Sequence, residues 1–139
     1  MSESTHRSIE VIRSAKGSYE AVNPRGGRIS FGAEGDDFTP VELLLAAIAG
    51  CSAADVDYIT VKRSEPEHFA VSMSAEKVRD EHGNHLTDLT LTLDIRFPPG
   101  EAGDAARTVL PEAVRRSHDK LCTVSRTVEL GTPVDVRLS

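Results

Sequence analysis

The feature that most constrains this chain is an apolar helix that begins with its own start signal. Thr39-Pro40-Val41-Glu42 has the form of a capping box with proline at the first helical position. The next two turns or so, Leu43 to Gly50, carry no polar side chain, so this part of the helix is apolar all round. The helix is predicted to run from Pro40 to about Arg63, where Ser64-Glu65-Pro66 stops it.

The remaining pattern predicts an α+β fold with a mostly antiparallel sheet around this long central helix. Turns at Lys16-Gly17 and at His82 to His85 join neighbouring strands. Strands are predicted over Ser8–Ala15, Ser18–Val22, Arg28–Gly32, Phe69–Val78, Leu86–Phe97 and Val134–Leu138. Helical segments are predicted from Gly103 to about Lys120, interrupted or restarted at Pro111, and over Thr123–Leu130. No linker divides the chain, so residues 1–139 are expected to form a single domain.

A helix that is apolar on every face must be covered on every face. In a chain of 139 residues, one sheet and two short helices cover only part of it. We therefore expect a second subunit to supply the missing cover, which places the helix near a homodimer interface. A fully internal helix in a monomer is the alternative.

Charge and composition exclude several classes of partner. The 16 basic and 22 acidic side chains give a net charge of −6 with no basic patch, so nucleic acid is not an expected partner. The longest apolar stretch is far below the roughly 20 residues that span a bilayer, so no membrane is expected either. Met1 to Arg7 is polar and lacks the apolar core of a signal peptide. The two cysteines are therefore expected to be reduced thiols of a cytoplasmic protein.

Taken from the residues alone, the roles of the two cysteines stay open. Cys51 lies inside the apolar helix, where a cysteine often serves as a small hydrophobic side chain. Cys122 lies at the start of a helical segment, where N–H donors and the helix dipole favour a thiolate, and Arg126 follows one turn later. Their separation excludes a C-x-x-C motif, so only folding can bring the two sulfurs together.

Three segments of the chain resemble the OsmC/Ohr family (osmotically inducible protein C-like; organic hydroperoxide resistance). Residues 39–51, TPVELLLAAIAGC, are similar to the motif around the family's first cysteine. Residues 117–127, SHDKLCTVSRT, are similar to the segment around its second cysteine, and residues 23–28, NPRGGR, resemble its N-terminal hairpin. The resemblance covers nearly the whole chain and implies an intertwined homodimer that reduces organic hydroperoxides with its thiols.

The resemblance also implies roles for individual residues. Cys51 attacks the peroxide, and its sulfenic acid condenses with Cys122 to a disulfide. An arginine of the hairpin, Arg25 or Arg28, stabilises the thiolate and the peroxide. No metal or tightly bound cofactor is implied, and a dithiol such as a dihydrolipoyl group is the expected reductant. The apolar helix would supply a pocket suited to alkyl groups.

The sequence departs from the peroxidase pattern at the glutamate that holds this arginine. The family's peroxidases place it directly after the proline, where this chain has Val41, as in a less characterised OsmC-like branch. Glu42 lies nine residues before Cys51, so the two project from opposite helix faces, and Glu42 already serves the capping box. Asp55 lies one turn after Cys51 on the same face and is the other candidate acid.

Two other functions remain open beside the peroxidase. The chain could bind a small hydrophobic ligand in the dimer cleft with Cys51 as packing, or it could be a thiol redox sensor without peroxidase turnover. Zinc is not predicted, because His118 and the two cysteines offer only three ligands without short-range pairing.

Overall fold

Antiparallel strands and α-helices follow one another in the order predicted for an α+β fold. The computed structural model describes residues 4–139, so the predicted polar N-terminus is described only from Ser4 onward. The elements are β1 (Glu10–Ala15), β2 (Ser18–Val22), β3 (Arg28–Gly32), α1 (Pro40–Thr60), β4 (His68–Asp80), β5 (Gly83–Arg96), α2 (Glu101–Arg116), a π-helical turn (Ser117–Leu121) and α3 (Thr123–Glu129). The chain divides into two compact units, one ending at Leu44 and one from Leu45 to Ser139. The prediction of a single domain stays a prediction.

The first unit is an antiparallel sheet in the order β1-β2-β3. The predicted Lys16-Gly17 turn joins β1 to β2, and Gly17 has a φ of 76° there, in the region that favours glycine. The turn between β2 and β3 is organised by Asn23, whose Oδ1 accepts the backbone N–H groups of Arg25 (3.0 Å) and Gly27 (2.8 Å). Arg25 therefore lies within this turn, and Arg28 begins β3.

The start of α1 is the capping box that the sequence predicts. The Thr39 N–H donates to Glu42 Oε1 at 2.9 Å, and the Glu42 N–H donates to Thr39 Oγ1 at 3.2 Å. These reciprocal bonds satisfy two backbone N–H groups that would otherwise bond only to water. Glu42 is thus engaged at the helix start.

The second unit contains the long β4-β5 hairpin. Phe69, Val71 and Met73 alternate along β4 as half-buried residues, and they face half-buried Ile95, Leu93 and Leu91 of β5 in register. The turn predicted over residues 82–85 is wrong, because the turn in the structure is shorter. Strand pairing continues to Asp80 and Gly83, so the turn consists of Glu81 and His82. The Asp80 side chain accepts the His82 N–H at 2.8 Å, which supports this tighter turn.

Helix α1 buries only one stripe of its surface. The buried residues recur every four positions: Ile48, Ser52, Val56 and Thr60. The helix ends at Thr60, three residues before the predicted end, because the Arg63 N–H bonds to the Thr60 carbonyl at 2.9 Å in a tighter turn. Several apolar side chains elsewhere on α1 stay exposed, among them Val41, Leu44 and Tyr58.

By length and composition alone, α1 could also cross a membrane. Its most apolar window has a mean hydropathy of 1.4, a value that the core helices of soluble proteins also reach. The helix carries Glu42, Asp55 and Asp57.

Two predictions for the C-terminal half are wrong. Pro111 does not interrupt α2, which continues to Arg116. Proline removes one backbone hydrogen bond, and the burial of Ala106 and Ala113 on either side keeps the helix continuous. The predicted strand Val134–Leu138 is also absent, because a strand needs a paired neighbour and none of the described strands pairs with it.

We expect the capping box to contribute measurably to stability. Thr39→Ala removes the side-chain acceptor for the Glu42 N–H and should lower the free energy of unfolding by about 1 kcal/mol. Urea unfolding followed by circular dichroism measures the change. Thr5→Ala, at an exposed position outside any helix or strand, is the matched control and should leave the midpoint unchanged. Equal midpoints for both variants would contradict this role.

Candidate functional site

Two sulfurs and one carboxylate converge within the second unit. The Sγ atoms of Cys51 and Cys122 and one carboxylate oxygen of Asp55 all lie within 4.8 Å of one another. Cys51 and Asp55 are one turn apart on α1, so the helix itself holds them on one face. Cys122 comes from the opposite end of the unit's sequence, as the residue that caps α3.

The π-helical turn carries Cys122 to this position. At the end of α2 the backbone widens, so the Cys122 N–H bonds to the carbonyl of Ser117 five residues earlier, at 2.8 Å. The chain then becomes extended at Cys122 before α3 begins. This local widening directs the Cys122 side chain inward, where it is fully buried.

Hydroxyl and amide donors surround the Cys122 sulfur. The Ser125 N–H donates to Cys122 Sγ at 3.4 Å, and the buried Ser52 hydroxyl donates to it at 3.6 Å. Burial by itself raises the pKa of Cys122, but bonds from the Ser125 hydroxyl and N–H, the Cys51 thiol and the Ser52 hydroxyl outweigh it. The net pKa of Cys122 is therefore lowered, which favours a thiolate on this sulfur.

Cys51 has the opposite electrostatic balance. Burial raises the pKa of Cys51, and the neighbouring Cys122 and Asp55 raise it further, while a backbone hydrogen bond at Val124 acts in the other direction. Cys51 is half-buried, whereas Cys122 is buried completely. The two thiols therefore differ both in their access to solvent and in the direction of their pKa shifts.

Asp55 is held in place from outside its own helix. The Ser117 hydroxyl donates to Asp55 Oδ2 at 2.9 Å, and Ser117 itself is buried. This bond orients the carboxylate and leaves its second oxygen available. Ser117 also supplies the carbonyl that fixes the π-helical turn, so one residue positions both Asp55 and Cys122.

A cavity of about 470 Å³ adjoins the cluster in the same unit. Its wall includes the three serines that bond to Asp55 or Cys122: Ser52, Ser117 and Ser125. Most of the remaining wall is apolar and includes Ile48, Val56, Met73, Leu91, Leu93 and Val114. Such a volume and lining are typical of sites for small hydrophobic molecules.

His118 and Glu129 also line this cavity. His118 bonds to Asp119 (3.1 Å) and to Glu129 (3.0 Å) through its two ring nitrogens. The bond to Asp119 raises the pKa of His118 against the effect of burial, and Glu129 raises it further. Arg126, one turn after Cys122, pairs with Glu129 at 3.3 Å.

The remaining candidate residues belong to the first unit. Arg28 forms an ion pair with Glu20 of β2, Arg25 lies in the turn organised by Asn23, and Glu42 belongs to the capping box. All three residues are exposed. Their proposed roles beside Cys51 stay predictions.

Sequence reasoning missed the serines of the site. Ser52 follows Cys51 directly, and Ser125 lies three residues after Cys122, the spacing at which a helix cap accepts an N–H. Both had a local signal that could have marked them. Ser117 had none, because its partner Asp55 is distant in the sequence and only the fold brings them together.

Comparisons with known proteins agree with this architecture. The family model described as OsmC-like protein matches residues 33–137. An uncharacterized protein of Mycobacterium tuberculosis is 31% identical over 131 residues, which are 92% of this chain and 93% of that relative.

Solved structures share the fold. An OsmC-like protein of unknown function from Vibrio cholerae superposes with a TM-score of 0.74 at 15% identity, over 91% of this chain and 95% of that one. The organic hydroperoxide resistance protein OhrB of Bacillus subtilis superposes with a TM-score of 0.52 at 14% identity, over 86% and 90% of the two chains. The predicted α+β, OsmC-like fold is confirmed.

The hydrogen bonds around Cys122 generate a test of its ionisation. In Cys51→Ser, the thiolate absorbance of Cys122 should rise at a pH below that of an ordinary thiol, because Ser125 and Ser52 stabilise the charged sulfur. Adding Ser125→Ala should move this titration to higher pH, whereas adding Ser72→Ala, on the exposed face of β4, should not. Ultraviolet absorbance against pH is the measurement. An unchanged curve for Ser125→Ala would contradict the stabilisation.

Proposed function

Because this chain belongs to the OsmC-like protein family, we propose that it is a two-cysteine thiol peroxidase that reduces organic hydroperoxides to alcohols. The observation that carries the proposal is the approach of Cys51 Sγ and Cys122 Sγ to within 4.8 Å. Both cysteines are free thiols, so both sulfurs are available to form a disulfide. Two well-separated sulfurs in an apolar wall could not form this disulfide and would not support a peroxidase.

The proposed reaction has three balanced steps. The Cys51 thiolate attacks one peroxide oxygen, the O–O bond breaks, and the alkoxide takes a proton and leaves as the alcohol. Cys122 then attacks the sulfenic acid of Cys51, which releases water and forms the disulfide. An external dithiol reduces this disulfide and becomes a disulfide itself. A dihydrolipoyl group is the dithiol we propose.

We assign the first attack to Cys51 because its sulfur is more accessible to a substrate than that of Cys122, although its pKa is the higher one. Cys51 is half-buried and can meet a substrate, whereas Cys122 is fully buried. Burial, Cys122 and Asp55 raise the pKa of Cys51, so Cys51 must lose its proton to solvent before it attacks. The pKa of Cys122 is lowered, which favours the thiolate that later attacks the sulfenic acid. The hydroxide released at that step takes a proton from solvent and leaves as water.

A positive charge beside the attacking sulfur would favour the reaction. We assign this charge to Arg25 or Arg28 of the β2–β3 hairpin. Glu42 is engaged in the capping box, so Asp55 is the acid we favour for orienting the arginine. Burial and Cys122 raise the pKa of Cys51, Asp55 raises it further, and a guanidinium would offset these unfavourable effects.

The proposed peroxidase acts in the reducing cytoplasm as a homodimer. The exposed apolar side chains of α1, such as Leu44 (38% exposed) and Val41 (39%), support a second copy as the missing cover. At the chain's end, Val134, Val136 and Leu138 are at least 86% exposed, so residues 4–139 do not supply cover for them either.

Single-cysteine variants test the peroxidase directly. Cys51→Ser should abolish consumption of cumene hydroperoxide with dihydrolipoamide, because no accessible sulfur remains to attack. Cys122→Ser should consume one equivalent per chain and then stop, with a sulfenic acid trapped on Cys51. Mass spectrometry of the dimedone-labelled protein identifies the modified cysteine.

The wild type is the reference for both variants. Hydroperoxide consumption by Cys51→Ser, with the label on Cys122, would reverse the assigned roles. A wild type that is inactive with every dithiol tested would refute the peroxidase.

The cavity supports a second candidate function, the binding of a small hydrophobic ligand without turnover. Its apolar wall and volume of about 470 Å³ suit such a ligand. Val114→Trp should fill the cavity and displace a fluorescent hydrophobic probe. Probe binding by a wild type that consumes no hydroperoxide would favour this function over the peroxidase. A redox sensor, the third possibility, would form the disulfide without catalytic turnover.

The homodimer has its own test. Sedimentation equilibrium at micromolar concentration should give twice the chain mass of 15.0 kDa. Leu44→Glu places a charge on the exposed apolar face of α1 and should shift the equilibrium toward monomer by tenfold or more in Kd. A wild-type monomer at micromolar concentration would contradict the dimer.

A further inference from the structure

We propose that Cys51, Asp55 and Cys122 also form a binding site for a thiophilic divalent cation of the Zn²⁺ class. This site goes beyond the proposed peroxidase, because it requires no redox chemistry. The three ligand atoms lie within 4.8 Å of one another in the second unit. Two sulfurs and one carboxylate oxygen are donors that Zn²⁺ accepts in proteins.

The spacing of the donors is close to what the cation requires. Zn–S bonds of about 2.3 Å in a tetrahedral site place two sulfurs about 3.8 Å apart. Every pair in the cluster is within 4.8 Å, so the two sulfurs need to approach each other by about 1 Å at most. Cys51 and Asp55 are pre-aligned by one turn of α1, and only Cys122 arrives from another element.

Neighbouring side chains already orient these donors. The buried Ser117 hydroxyl donates to Asp55 Oδ2 at 2.9 Å and so fixes the carboxylate near the two sulfurs. Ser52 and Ser125 donate to Cys122 Sγ and stabilise it as an anion. Outer contacts of this kind fix the direction of metal ligands and commonly change affinity 10- to 100-fold.

The charge of the cluster also favours a cation. When the two thiols release their protons to solvent, two thiolates and one carboxylate face a charge of +2. Three protein ligands leave one position of a tetrahedral site for water or a small molecule. Cys51 and Asp55 are half-buried, so the cation can reach them from solvent, while the buried Cys122 closes the inner side.

The cation and the peroxide would compete for the same sulfur. A metal-bound Cys51 cannot attack a hydroperoxide, and a Cys51–Cys122 disulfide has no thiolate left to bind the metal. The sequence alone offers His118 as the third ligand beside the two cysteines. In the structure His118 bonds to Asp119 and Glu129 instead, and Asp55 is the group that completes the set.

Cobalt titration of the reduced, metal-free full chain tests the proposal. One Co²⁺ per chain should bind and give the charge-transfer absorption typical of thiolate ligands, and Zn²⁺ should displace it. Cys51→Ser and Cys122→Ser should each lose this absorption. Asp55→Asn should weaken binding about tenfold or more.

Asp57→Asn is the matched control, because Asp57 lies on the same helix but is exposed and outside the cluster. It should bind Co²⁺ like the wild type, and circular dichroism checks that each variant retains its helices. Absence of the thiolate absorption in the wild type, or equal weakening by Asp55→Asn and Asp57→Asn, would overturn the proposal.

Hydroperoxide assays separate this proposal from the proposed function. Zn²⁺ should inhibit wild-type turnover, and a chelator should restore it. Full activity at saturating Zn²⁺ would overturn competition at the thiols. A chain that binds Co²⁺ through both cysteines but reduces no hydroperoxide would support the metal site and refute the peroxidase.

Discussion

The packing of Cys122 against helix α1 is the contact on which the whole site depends. Ser52 lies in the buried stripe of α1, and its hydroxyl meets the Cys122 sulfur at 3.6 Å. This contact joins the middle of α1 to the start of α3 and so brings Cys51 and Asp55 to Cys122. A buried sulfur anion without donors would be strongly unfavourable, and the serines supply those donors. The same contacts therefore stabilise the fold and set the chemistry of the thiols.

Predictions from the sequence succeeded where the physical cause is local. The capping box, the first hairpin and the alternation along β4 each depend on residues within a few positions, so the sequence contains the whole signal. The Cys51–Asp55 pairing on one helix face is of the same kind. Contacts across the unit, such as Ser117 with Asp55, have no local signal. The pairing of Cys51 with Cys122 is implied by the resemblance to the family motifs and not by the spacing of the two residues.

The errors have equally specific causes. Pro111 was expected to interrupt a helix, but the loss of one backbone bond is small beside the burial of the residues around it. Val134–Leu138 has strand composition, but a strand also needs a partner, and alternating apolar residues do not say where that partner lies. The exposed apolar faces of α1 and of this segment both point to surroundings outside the described chain.

Asp55 has a place in both of the chemistries proposed for the thiol pair. Burial raises the pKa of Cys51, and Cys122 and the Asp55 carboxylate raise it further, so a positive charge in the cluster would favour nucleophilic attack. A guanidinium would supply this charge and leave the sulfur free to attack, whereas a divalent cation would supply it by binding the sulfur. The two arrangements satisfy the same electrostatic requirement and exclude each other at Cys51. Under the two proposals, the cation that accompanies Asp55 distinguishes a cluster that reduces peroxides from one that holds a metal.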